Sequence, residues 1–223
     1  MSGDKQKKIT TVHAHPRHVP VSKKNPSGIT IVDQHLRRLP GTYLDAEEIE
    51  KIFKTYDKTR LTCPTLNNLD YKNGNQYDEI IAFWTDYFNG KFNVDPKIHP
   101  NVIKALIASE SGFDANPRGN KKAFGITQIT KQTLRILQDP NGEAKDFIFN
   151  KIRLKDLKNP NIAIPMAVRW LFKKREMATR KLGRTPTDEE MILEYKGMLK
   201  SNSRLKKNAL INFRKHYENL KKK

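Results

Sequence analysis

The stretch HPNVIKALIASESGF, residues 99–113, sets one carboxylate where it can do chemistry. Laid on a helix at about 100° per residue, Val102, Ile103, Leu106 and Ile107 share a face, and Glu110 falls in the middle of it. Lys104, Ala108 and Ser109 fall outside that arc, so the helix is expected to point its polar residues outward and this carboxylate inward. An ionised carboxylate held out of water without a partner is costly, so such a group finds a cation or hydrogen bonds, or stays protonated. A carboxyl group that stays protonated near neutral pH is what general acid catalysis needs. The competing reading is a helix that simply ends at Glu110, with Gly112 just beyond and the side chain in solvent.

The segments around this helix predict a mainly α domain with little strand-like alternation. Asp45 and Glu48 form a capping pattern ahead of Ile49, Ile52, Phe53 and Tyr56, which recur at helical spacing. Tyr77, Ile80, Ile81, Trp84 and Phe88 form a second stripe, expected to break at Asn89 and Gly90. Further helices are expected over 100–110, 130–137, 161–181, 187–199 and 203–220, with Thr187 and Glu190 as another capping box. A small hairpin fits between residues 113 and 129. Residues 1–44, with the patches HPRHVP, KKNPSG and RLPG, are expected to form an irregular basic arm, and 45–223 the folded domain, with a motif-bearing core over about 78–200 and a basic helix at 203–223.

Beyond Glu110 the chain reads ESGFDANPRGNKKAFGITQIT. Glu110, Ser111, Gly112 and Phe113, followed at the right spacing by Gly125, Ile126, Thr127 and Gln128, resemble the ES-x-F and G-x-x-Q signatures of the lytic transglycosylase SLT domain. That family has the lysozyme-like fold of the goose-type lysozymes. Two looser matches follow in order. Asn161, Ile162, Trp170 and Leu171 resemble the third motif, with Pro165 in place of a small residue and therefore a bend or later start expected in that helix. Tyr195 in EYKG resembles the fourth, with Lys196 where the family has Asn.

The resemblance implies a peptidoglycan-cleaving enzyme with one catalytic carboxylate, whereas most glycosidases use two. Glu110 would protonate the bond between N-acetylmuramic acid and N-acetylglucosamine, then take the proton of the muramic 6-hydroxyl to give a 1,6-anhydro product. Ser111 would touch the sugar or orient Glu110, Gln128 would bond substrate, and Tyr195 would sit over Glu110 and the N-acetyl group. Gly125 suits close backbone approach better than chemistry. A cation at Lys196 would favour the charged carboxylate and weaken it as an acid, unless it points away. Asp114 and Asp95 are the carboxylates nearest in sequence for a hydrolytic outcome, and no spacing argument places either. No cofactor is implied. His13, His15, His18 and His35 stand in a proline-broken arm without carboxylates in register, so no metal site is expected. Cys63 reads as an inert thiol.

The net charge of +19 is concentrated at the ends: residues 1–45 contribute +5 and residues 196–223 contribute +9. Such ends hold any polyanion. Nucleic acid is disfavoured because aromatic residues do not interleave with the basic runs. A wall-binding module that keeps the fold but does not cleave is the main rival. No apolar run is long enough to span a bilayer and the first residues are polar, so the chain is expected to reach the periplasm or cell wall without a cleaved leader, as a monomer, carried by a secretion machine or a phage particle that docks on residues 1–44. Deleting residues 1–44 is expected to abolish export or loading while activity on isolated wall material stays intact; unchanged export refutes the docking role.

Overall fold

The computed structural model describes residues 9–12, 15–23, 25–32, 35–38, 42–59, 61–117 and 122–222. The chain divides into two units, Met1–Gly41 and Thr42–Lys223. In the first, β1 (Ile9–Val12) pairs antiparallel with β4 (His35–Arg38), and β2 (His15–His18) with β3 (Ile29–Val32). Ser22 and Asn25 bond to each other across the bend between β2 and β3, which Gly28 leaves at φ +62°. This differs from the irregular arm expected from its prolines. Pro20 and Pro26 fall at the bend, and Pro16 lies in a two-stranded ladder, where a strand has a free edge and a missing N–H is tolerated. His13 lies outside the described residues.

The second unit holds seven α-helices among the described residues. Helix α1 (Ala46–Thr55) starts where the Asp45 carboxylate accepts from the Glu48 amide at 3.0 Å. Helix α2 (Asp78–Phe92) runs through the expected break at Asn89 and Gly90 and stops at Asn93, which is left-handed. Asn89 does not act as a breaker because it is buried, and its side-chain amide bonds both the N–H and the C=O of Ile98 at 2.9 Å. Helix α3 (Pro100–Ser111) ends at Gly112 with φ +60°. The hairpin follows as β6 (Ala123–Phe124) and β7 (Ile129–Thr130), antiparallel, and Thr130 then caps α4 (Lys131–Gln138).

Two short elements were not legible: a parallel pair of β5 (Thr42–Tyr43) with β8 (Phe147–Ile148), and a 3-10 turn at Leu154–Lys158. Helix α5 (Pro160–Leu182) begins ahead of Pro165 and continues through it. Helix α6 (Asp188–Tyr195) keeps its predicted capping box but ends four residues before the expected Leu199. Gly197 at φ +70° turns the chain, with Met198 N–H bonding to Leu193 C=O at 2.7 Å and Gly197 N–H to Glu194 C=O at 3.1 Å, the two bonds of a Schellman cap. Helix α7 (Ser203–Lys221) completes the unit. No described helix is long and apolar enough to cross a membrane.

Helix α3 packs against both α2 and α7, and α5 packs against α1, α2 and α6. As a result every residue of α3 from Pro100 to Ala108 is buried. This corrects the two-faced helix expected from periodicity: Lys104 is fully buried rather than turned outward. Its ammonium donates to Thr65 C=O at 3.0 Å, to Asn75 Oδ1 at 2.7 Å and to Asp78 Oδ2 at 2.7 Å. Burial pushes the Lys104 amine down and the Asp78 carboxyl up, each against the pull of its partner. Desolvation therefore outweighs attraction, and the pair is compensated rather than stabilising. The apolar neighbours hold the helix instead, each fully buried Val, Leu or Ile contributing about 1.5–3 kcal/mol. Lys104→Met, which strands Asp78, is expected to cost about 3–5 kcal/mol in urea unfolding, and adding Asp78→Asn to recover most of it; a neutral single variant contradicts this assignment.

Candidate active site

Glu110 occupies the last turn of α3, and its side chain is 18% exposed, held largely out of bulk water. The ammonium of Lys196, at the cap of α6 and equally shielded, donates to Glu110 Oε1. The cation that the sequence left free to point away therefore points at the carboxylate. Tyr195, one residue earlier, donates from its hydroxyl to Thr127 C=O at 3.1 Å. Burial first, and then the charge of Glu110, pushes the Tyr195 phenol well above its ordinary range. The phenol is thus a neutral group close enough to feel the carboxylate. The ends of two helices and one hairpin turn converge here.

Hydrogen bonds to main-chain carbonyls fasten these parts. Ser111 Oγ donates to Ile126 C=O at 2.7 Å, tying the end of α3 to the turn between β6 and β7. Thr127 Oγ1 donates to Ala163 C=O at 3.3 Å, tying the same turn to α5. Gln128 is left-handed at φ +52°, and its side-chain amide donates to Gly125 C=O at 2.9 Å. Gly125 sits at φ +70° against the 3-10 turn, so close that an added Cβ would lie 1.9 Å from Leu157 O. That is the close approach expected of this glycine.

Among the residues singled out from sequence, Glu110 and Tyr195 come together, and Ser111 joins them to the turn that carries Gly125 and Gln128. Asp114 does not join them as a second carboxylate: it is exposed and accepts from Asn116 N–H at 2.8 Å in its own turn. Asp95 lines a separate hollow of about 410 Å³ with Phe92, Arg169 and Phe172, and Glu110 is not among its lining residues. Sequence reasoning missed Tyr71, whose ring lies 2.6 Å from where a Cβ on Gly112 would be and packs edge-on against Phe113 at 5.7 Å between centroids. No local pattern marks it. Among the described residues, no group of three or more His, Cys, Asp or Glu is placed to hold a metal ion.

Residues 88–189 match a protein-family model described as the transglycosylase SLT domain. The span includes Glu110, Ser111, Gly125 and Gln128 and stops short of Tyr195 and Lys196. No curated protein matches the chain. Gly125→Ala combines a left-handed strain with overlap on Leu157 O, and is expected to cost about 3 kcal/mol, read as a lower thermal midpoint; an unchanged midpoint means that the turn and the 3-10 segment are not locked together.

Proposed function

We propose, with a transglycosylase SLT domain over residues 88–189 as the premise, that this protein is a lytic transglycosylase cutting the β-1,4 bond between N-acetylmuramic acid and N-acetylglucosamine in peptidoglycan. The observation that carries the reading is Glu110, an acidic side chain 18% exposed at the end of a buried helix, with the Tyr195 phenol close enough to be shifted by its charge.

In this mechanism Glu110 gives its proton to the glycosidic oxygen as the C1–O bond breaks, and the N-acetyl oxygen of the muramic residue stabilises the cationic carbon. The carboxylate then takes the proton of the 6-hydroxyl while O6 bonds to C1. Glu110 ends protonated again, no water is consumed, and one carboxylate serves as acid and base. Tyr195 would sit over Glu110 and the N-acetyl group. The hydroxyl hydrogen of Ser111 is committed inside the protein, so that side chain would meet a sugar hydroxyl as an acceptor, whereas Gln128, with one amide hydrogen committed, keeps one N–H and its carbonyl oxygen for substrate.

One observation favours the second reading, a wall-binding module that does not cleave: the ammonium of Lys196 sits on the carboxylate that would have to act as an acid. Glu110→Gln separates the two. Release of muropeptides from purified peptidoglycan is expected to fall about 1000-fold in the variant, with binding kept, and the wild-type products to be lighter by one water than hydrolytic ones. Wild-type protein that binds and never cleaves supports the binding module.

A further inference from the structure

The ammonium of Lys196 has one partner among the described residues, the carboxylate of Glu110, and both side chains are only 18% exposed. Opposite charges in such a setting are stable together and costly apart, because the ion left behind recovers little hydration. Acid catalysis requires Glu110 to be protonated, which ends the pairing of opposite charges. Glu110 must carry a proton and face the glycosidic oxygen, and at that moment Lys196 is an ammonium without a counter-ion. The acidic residue next to this segment, Glu194, does not replace it: it is buried and already held by Lys181 at 2.5 Å and Lys174 at 3.8 Å. No other acidic side chain among the described residues bonds Lys196, which leaves its place open to an anion carried by the substrate.

We infer that Lys196 is a specificity-determining residue that reads a carboxylate carried by the substrate beside the scissile bond and frees Glu110 as it does so. The inference rests on Glu110 being the acid. The substrate class is a glycan bearing a carboxylate on its muramic residue, either the free lactyl group or an acidic group of an attached peptide stem; both offer the same acceptor to an ammonium. No covalent bond changes in the exchange. Lys196 remains protonated and trades one carboxylate for another, and Glu110 takes a proton from solvent. The local fold suits the movement, since the Schellman cap at Gly197 fixes the backbone of Lys196 while its four-carbon stem can swing. Neutral oligosaccharides of N-acetylglucosamine bring no anion and would leave the ammonium bare.

The test compares soluble glycan oligosaccharides of one length: muramic residues with free lactyl carboxylates, the same residues amidated, and residues bearing peptide stems. Wild-type kcat/KM is expected to favour one or both anionic forms over the amidated form by about tenfold or more, and which of the two is preferred identifies the source of the carboxylate. In Lys196→Met and Lys196→Gln, paired in case one folds poorly, the ratio is expected to fall to about one, and in Lys196→Arg to persist. Equal cleavage of free and amidated glycans by the wild type, or a preference that survives in both neutral variants, overturns the proposal. The parent reading fails separately, if Glu110→Gln cleaves as well as wild type or if the wild type cleaves nothing. Lys196 is then judged by calorimetric binding of the same glycans to Glu110→Gln with and without Lys196→Met: loss of the anionic preference on removing Lys196 supports anion recognition, and no difference overturns it.

Discussion

Helix α3 has no free face, and the arrangement of the domain follows from that. Enclosed from Pro100 to Ala108 and only partly open at its last turn, the helix gives its charges little water, so each has to be met by a group from elsewhere in the chain. Lys104, in the middle, is met by Asp78, Asn75 and the carbonyl of Thr65. Glu110, at the end, is met by Lys196. The place of Glu110 is set by apolar packing along Val102, Ile103, Leu106 and Ile107, while its electrostatic surroundings are set by the residue that caps α6. Position and charge are thus controlled by different parts of the molecule.

The ring of parts around Glu110 is built from main-chain carbonyls. Ile126, Thr127, Ala163 and Gly125 accept from Ser111, Tyr195, Thr127 and Gln128 respectively. The polar residues that resemble sugar contacts are therefore also fasteners. A substitution at any of them disturbs the framework as well as the contact, so loss of activity alone does not separate the two roles.

Local signals were readable because each is decided within a few residues. Asp45, Thr130 and Thr187 start helices where their side chains accept from the third amide beyond, and the order of Glu110, Ser111, Gly125 and Gln128 was visible as spacing. Lys104 was misread because helical periodicity presumes one watered face, and the second cover of α3, helix α7, comes a hundred residues later in the chain. The direction of Lys196 depends on where α6 stops. Gly197 is the readable sign of that stop, a glycine able to take the left-handed position after a helix. The length expected for α6 passed over it. Tyr71 and the parallel pair of β5 with β8 join segments far apart in sequence and leave no local trace.

The join between α3 and α7 also bears on when the protein becomes whole. Thr65 Oγ1 and the Asn101 side chain both donate to Leu220 C=O, at 2.8 and 3.2 Å, so the start of the central helix is bolted to the far end of α7. On the ribosome the segments with Glu110, Gln128 and Tyr195 all emerge before that helix does. Until it arrives, the buried residues of α3 lack the cover that α7 gives, and Glu110 belongs to a nascent chain whose core cannot yet close.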